Sequence, residues 1–269
     1  MSKIFDCITF YDENFLVNAR FEILKDVVDY FIICESNYDH KGDKKKINFN
    51  LINQSFKKKV RHIIIEDKFP NPTDRWSSEK FQREKLLEGI IDASGDDYIL
   101  FSDSDEIPNP QRLENFFLEK KYGVFMQKIY VYKLNIYNQY ESPWEGSRIC
   151  RKKNLKSFTE LRKKILIKNL KKPFWKIGTE KSIQKIENGG WHFNNLYSID
   201  IISKKLKASA HSEFSSNKYS DISIIKKKMF NLEDLYNRGH VYKKIKIDNT
   251  FPDYFLNNAN VIKDYILWQ

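Results

Sequence analysis

Two aspartates one residue apart stand in the run Phe101-Ser102-Asp103-Ser104-Asp105-Glu106-Ile107-Pro108. Carboxylates so spaced at a strand end can both reach one divalent cation, directly or through water. Hard cations such as Mg²⁺ and Mn²⁺ are held by one or two carboxylates together with substrate phosphates. An ion placed there can neutralise a leaving diphosphate. His192, in Gly189-Gly190-Trp191-His192-Phe193, is the next candidate, because its glycines permit close backbone approach to a ligand. His211, in Ser209-Ala210-His211-Ser212-Glu213, is a second imidazole. Arg83 lies one or two turns inside the helix that opens after Trp76, where a guanidinium can bind phosphate or pair with a strand-end carboxylate. The chain has no Gly-x-Ser-x-Gly elbow, Walker loop, dinucleotide fingerprint or zinc-type Cys/His spacing, so its chemistry rests on carboxylates, a metal or both.

The elements that must position these groups are legible from periodicity. Ile4 to Phe10 reads as a buried strand and Asn14 to Lys25 as a helix with Leu16, Ala19, Arg20, Ile23 and Leu24 on one face. Apolar runs at 27–34 and 60–65 read as strands that stop at Glu35 and Glu66. A helix capped by Ser77 or Ser78 runs to about Ala93, and Tyr98 to Phe101 is the strand that delivers the Asp-x-Asp pair. Further on, a helix over 111–121, a long strand over 124–134, a polar aromatic loop and a basic helix over 157–168 are predicted. Near-continuous apolar strands alternating with helices predict an α/β fold with a mostly parallel sheet flanked by helices. Ligands bind such sheets beyond the carboxyl ends of the strands, where Glu35, Glu66, Asp103 and Asp105 fall.

The 269 residues fit one large domain, with 1–110 as a nucleotide-binding half and 111–269 as the acceptor half with C-terminal helices. A hydrophobic share of 41% argues against disorder. The formal charge of +11 favours anionic partners: a phosphate-bearing substrate, an anionic membrane surface or nucleic acid. Cys7, Cys34 and Cys150 are an odd number without CxxC spacing, as suits buried thiols in a reducing compartment. No apolar run approaches the length of a membrane span, so a cytoplasmic enzyme with at most a peripheral membrane contact is expected.

Two other classes compete. A haloacid-dehalogenase-type phosphatase also carries Asp-x-Asp after an apolar strand, but its first Asp is a nucleophile on the first strand, whereas this pair comes about 100 residues in, behind the strands at 4–10, 27–34 and 60–65. A nucleic-acid-binding module would use the positive charge and the aromatics. However, these aromatics lie mostly in strand-like runs.

Several separated segments taken together resemble glycosyltransferase family 17, the family of β-1,4-mannosyl-glycoprotein N-acetylglucosaminyltransferase-like enzymes. They are Ile4-Phe5-Asp6-Cys7 with Glu13 and Arg20; the run from Val27 to Glu35; Phe81-Gln82-Arg83; Asp103 to Pro108; and Gly190-Trp191-His192-Phe193 followed by Lys205-Leu206. The resemblance implies a GT-A type fold, a UDP-sugar donor, a Mn²⁺ or Mg²⁺ site and inversion at the anomeric carbon. By position it makes Asp105 the principal metal ligand and sets Asp103 on ribose or metal. Glu35 and Arg83 fall near the donor nucleotide, and His192 near the metal or diphosphate. The acceptor it implies is a glycan hydroxyl; without the animal enzymes' anchor and stem, a lipid-linked or cell-surface precursor is expected. Inversion requires a general base. Glu145, in Ser142-Pro143-Trp144-Glu145-Gly146, is the first choice because Trp144 offers a sugar-stacking wall, with Glu180 and Glu213 as alternatives.

Overall fold

The computed structural model describes residues 2–71, 73–173, 175, 178–208 and 212–268. Its strands are β1 (Ile4–Phe10), β2 (Tyr30–Ser36), β3 (Val60–Ile65), β4 (Tyr98–Asp103), β5 (Glu106–Pro108), β6 (Tyr122–Val131), β7 (Ile136–Tyr137), β8 (Trp144–Arg151), β9 (Ile183–Asn194) and β10 (Lys243–Lys244). The helices are α1 (Asn14–Leu24), α2 (Arg75–Lys85), α3 (Phe158–Lys164), α4 (Ile199–Ala208), α5 (Asn217–Ser220), α6 (Ile222–Phe230), α7 (Asp253–Asn257) and α8 (Ala259–Ile262).

The strands form one sheet in the order β10-β7-β6-β8-β4-β1-β2-β3, with β9 beside β6 and β5 on β9. The expected parallel core is there: β3, β2, β1 and β4 are mutually parallel. The second half makes the sheet mixed, since β8 is antiparallel to both β4 and β6 while β9 runs parallel to β6. Helices cover both faces. Phe5, Cys7, Ile99 and Phe101 turn to one apolar cluster, whereas Ile4, Ile8, Tyr98 and Leu100 turn to another. This alternation along each strand is the period-two pattern of a sheet buried on both sides. All three cysteines are buried and free.

Four local expectations change. The second strand begins at Tyr30, so Val27 and Val28 belong to the turn before it and Glu35 lies inside β2. The N-cap of α2 is Asp74, whose carboxylate accepts from Trp76 N, and the helix gives way after Lys85 to a 3₁₀ turn, Leu86–Ile90. The stretch 111–121 is a single 3₁₀ turn, Pro110–Arg112, followed by irregular chain. Asn115 there takes a left-handed φ of 49°, which ends helical continuation. The segments around Glu145 and His192, without a clear apolar period, are strands β8 and β9.

The Gly189-Gly190 pair serves the sheet. A Cβ on Gly190 (φ +123°) would stand 2.2 Å from Ile107 O, and one on Gly189 2.6 Å from Met126 N. The glycines therefore let β9 squeeze between β5 and β6, and the close approach expected with a ligand is made with backbone instead.

Beyond β9, the 231–242 loop is pinned by Asp234. Its carboxylate accepts from Arg238 N (2.7 Å), Arg238 Nε (3.0 Å) and Nη2 (2.9 Å), and Tyr242 OH (2.9 Å). Burial pushes this carboxyl up, but the Arg238 and Tyr242 donors outweigh it and bring its pKa down to about 2. A depressed carboxylate pKa contributes stability above the unfolded value, lost as pH falls through the folded one. Asp234→Asn is therefore expected to cost about 2 kcal/mol at neutral pH. Urea denaturation should show that difference shrinking between pH 4 and pH 2 in step with the carboxyl's protonation.

Candidate active site

The Asp-x-Asp segment leaves the carboxyl end of β4, where parallel strands β1 and β4 both terminate. It turns at once into β5, which pairs with β9 so that Glu106 stands opposite His192. A backbone bond from Phe193 N to Asp105 O (2.8 Å) locks the turn. His192 Nε2 thereby comes to 3.6 Å from Asp105 Oδ1.

Arg162, projecting from α3, ties the acidic segment together. Its Nη2 donates to Asp103 Oδ2 (2.6 Å) and Glu106 Oε1 (2.7 Å), and its Nη1 to Glu106 Oε2 (3.0 Å) and Gly146 O (2.9 Å). Trp144 Nε1 donates to Glu106 Oε1 at 2.8 Å, and its ring lies 5.5 Å from that of His192. Arg83 Nη2 pairs with Glu79 one helical turn back and reaches 3.7 Å from Asp103 Oδ1. Its Nε and Nη1, both buried, have no hydrogen-bond partner among the described residues.

A second cluster lies within electrostatic reach of Asp105. Glu13 Oε1 accepts from Tyr197 OH (2.6 Å) and Lys205 Nζ (3.3 Å), while Glu13 Oε2 accepts from Tyr11 N and Asp12 N and so holds the loop after β1. Arg20 ties β1 to the acidic segment. It is wholly buried and bidentate to Asp6 at 2.5 Å, with further bonds to Ser102 Oγ (2.9 Å) and Glu106 O.

The electrostatics follow from this crowding. Burial raises the Asp105 carboxyl, but His192 and then Lys205 outweigh it and hold the group well below the usual carboxylate range. Asp103 is likewise raised by burial and lowered further by Arg162 and Arg83. His192 is lowered by burial and raised more by Asp105 and Glu106, so its net shift is upward. Both aspartates are thus anionic at neutral pH and able to act as hard oxygen donors.

The donor set fits a hard divalent cation completed by substrate phosphates. Asp105 keeps oxygen lone pairs beside His192 Nε2, and His192 Nδ1 is buried without a hydrogen-bond partner among the described residues. Among the described residues no three His, Cys, Asp or Glu side chains form a ready cage. One or two carboxylates plus phosphate oxygens is the arrangement Mg²⁺ and Mn²⁺ ordinarily take.

Of the residues predicted from sequence, Arg83, Asp103, Asp105 and His192 converge here. Glu35 does not. Fully buried, it is taken up by Lys45 Nζ (2.7 Å), Asn48 N (2.6 Å), Phe49 N (3.1 Å) and His62 (3.3 Å), and so anchors the 44–50 segment instead of facing a ligand. Glu145 is strand-borne. Its Oε2 accepts from Ile167 N (3.0 Å) and lies 3.5 Å from Arg148 Nη2. Glu180 accepts from its own neighbours Lys181 N and Ser182 N. His211 lies outside the described residues.

Arg162 and Tyr197 carry the site without any motif that marks them; Trp144, expected as a sugar-stacking wall, also donates to Glu106, and Glu106 and the Arg20–Asp6 pair stand in the family segments with no role assigned from sequence. Arg20 carried a local signal of its own, a charge on the apolar face of α1 that can be buried only with a partner. The acidic segment also disfavours the phosphatase alternative, since Arg162 and Arg83 hold the oxygens of Asp103 that would have to attack phosphorus. The aromatics gather largely in the buried clusters, unlike a base-stacking surface.

With that geometry in view, comparison with known proteins is decisive on one point. Residues 1–245 match glycosyltransferase family 17. The chain belongs to glycosyltransferase family 17. Family relatives include the β-1,4-mannosyl-glycoprotein 4-β-N-acetylglucosaminyltransferases of Rattus norvegicus and Homo sapiens, each 31% identical over 117 residues. The match covers 39% of this chain and 22% of those relatives, so it spans less than a quarter of their length. Among solved structures, the chain is similar to Mycobacterium tuberculosis glucosyl-3-phosphoglycerate synthase crystallised with Mn²⁺, UDP-glucose and phosphoglyceric acid. That likeness has 12% identity and a TM-score of 0.40, over 95% of this chain and 91% of that one. The same synthase with Mn²⁺, UDP and glucosyl-3-phosphoglycerate matches at 13% identity and a TM-score of 0.37, over 72% of each chain. Among the described residues no helix is long and apolar enough to cross a membrane.

Proposed function

We propose that this family 17 member is an inverting, metal-dependent glycosyltransferase on a GT-A-like sheet. It moves a sugar, N-acetylglucosamine or a similar hexose, from a UDP-sugar to a hydroxyl of a glycan acceptor. The reading treats the chain as one catalytic unit in which the donor half, 1–110, is completed by Trp144, Arg162, His192 and Lys205. A cytoplasmic setting, a lipid-linked acceptor and a peripheral membrane contact belong to the same reading.

The observation that carries it is the buried guanidinium of Arg83, with two donor nitrogens unpaired among the described residues, beside the anionic Asp103-Asp105 segment. Buried donors left without partners cost free energy, and a diphosphate would satisfy them. Asp105 and His192 would hold the divalent ion, which when bound would neutralise charge on the leaving diphosphate. Asp103, oriented by Arg162, would face ribose or the ion. Lys205, which already lowers the Asp105 carboxyl, would add positive charge.

A thermal-shift screen of UDP-, GDP-, CMP- and dTDP-sugars with and without Mn²⁺ tests the reading, because a ligand bound only by the native state raises its stability. UDP-sugars with Mn²⁺ are expected to give the largest shift, and Arg83→Met to weaken nucleotide binding about ten- to a hundredfold. No response to any nucleotide would sink the proposal.

The general base in this reading remains Glu145, a carboxylate whose side chain is 29% exposed and which adjoins Trp144 on β8. Glu145→Gln keeps an acceptor for Ile167 N, so the fold and the donor-induced thermal shift should persist. Transfer is expected to fall about 10²- to 10⁴-fold. Unchanged turnover with normal donor binding would remove Glu145 from this role.

A further inference from the structure

The positive charge of this chain is concentrated in one segment. Twelve of the residues from Arg151 to Lys181 are Lys or Arg and only Glu160 and Glu180 are acidic, so this stretch carries +10 of the formal +11. The remainder is close to neutral. Within the segment, Lys156, Lys163, Lys168 and Lys171 are exposed and form no ion pair among the described residues; the acids nearby are engaged by Lys164 and Lys121. A recess of about 590 Å³ opens on this side, with Lys156, Lys163, Lys164, Lys168 and Lys172 in its lining. Apolar groups stand among the charges. Leu170 is 42% exposed, Trp175 is 69% exposed, and Trp76, 42% exposed, lies under Lys163 Nζ at 4.9 Å.

Lysines without counter-ions around exposed Trp and Leu side chains form the combination that binds an anionic bilayer surface. The charges are drawn to acidic headgroups, and the amphipathic rings settle at headgroup depth. We infer that the described residues of the 151–181 segment are a docking surface for an anionic lipid bilayer. The inference deepens the transferase reading, on which it rests for the acceptor, by connecting the membrane to the site through one short helix. From α3, Arg162 reaches the Asp-x-Asp segment while the adjacent Lys163 and Lys164 are exposed. A headgroup-linked acceptor held at this surface lies on the side of the fold from which Arg162 enters the site.

Vesicle flotation of the full chain tests the surface. The protein is expected to float with phosphatidylcholine vesicles containing phosphatidylglycerol, to ignore phosphatidylcholine alone, and to be released by high salt. Lys168→Glu with Lys171→Glu should lower binding at least about tenfold. Lys226→Glu with Lys227→Glu, the same charge change on exposed α6 positions, should lower it no more than about twofold. Trp175→Ala, which changes no charge, should lower binding independently and serves if the double variant does not fold. The inference is overturned if the wild type does not float, if neutral vesicles bind equally, if both double variants lose binding alike, or if the segment captures RNA and not vesicles. Each variant should retain the UDP and Mn²⁺ thermal shift. If the wild type itself lacks that shift, the transferase reading fails, while the vesicle result still decides the docking surface.

Discussion

Asp105→Asn should abolish the Mn²⁺-dependent part of nucleotide binding and lower donor turnover, transfer or slow donor hydrolysis, by about 10²- to 10³-fold. The substitution is nearly isosteric, so it tests charge and not packing. Asp105 is the carboxylate of the segment left free of arginine: Arg162 and Arg83 both turn to Asp103, whereas Asp105 meets His192. Its charge also raises the His192 imidazole. In the Asn variant the His192 pKa should therefore move down, which NMR titration of the ring can follow separately from activity. A variant that kept full Mn²⁺-dependent stabilisation by UDP would move the metal site away from Asp105.

The second large effect is on stability. Arg20→Leu leaves Asp6 as a buried carboxylate, 1% exposed, without its bidentate partner, and deprives Ser102 Oγ and Glu106 O of a donor. Removing one member of a buried pair typically costs 3–5 kcal/mol because the remaining charge has no compensation. A loss of about 4 kcal/mol in urea denaturation is expected, a large share of the roughly 5–15 kcal/mol by which native domains are ordinarily stable. Asp6→Leu combined with Arg20→Met should recover much of it, since replacing both charges with apolar groups removes the desolvation penalty. Recovery of stability without recovery of donor binding would show that Arg20 also sets the height of Glu106 beneath the site. Equal losses in the single and double variants would contradict this account of the pair.

Local pattern carried far in the first hundred residues. β1, α1, β3 and β4 lie where apolar periodicity puts them, because each buries its own face and the period follows directly from which side meets the core. The strand-end position of Asp103 was legible for the same reason. β8 and β9 were not. Trp144-Glu145-Gly146 and Glu187-Asn188-Gly189-Gly190 are polar and glycine-bearing, and they become strands because β4, β5 and β6 offer them hydrogen-bonding edges.

By itself, then, the sequence determined the α/β core, the acidic turn at its edge and the candidates Arg83 and His192, all properties of residues and their near neighbours. Tertiary structure decided which charges meet. It withdrew Glu35 into the anchor of the 44–50 segment and gave Glu145 a backbone N–H to hold. It also brought Arg162, 59 residues downstream, onto Asp103, and Lys205 onto Glu13 across 192 residues. A buried ion pair has no sequence period, since its partners are chosen by the sheet order and the register of β5 on β9. Only the folded chain therefore distinguishes Asp103 and Glu106, which Arg162 ties together, from Asp105, which meets His192.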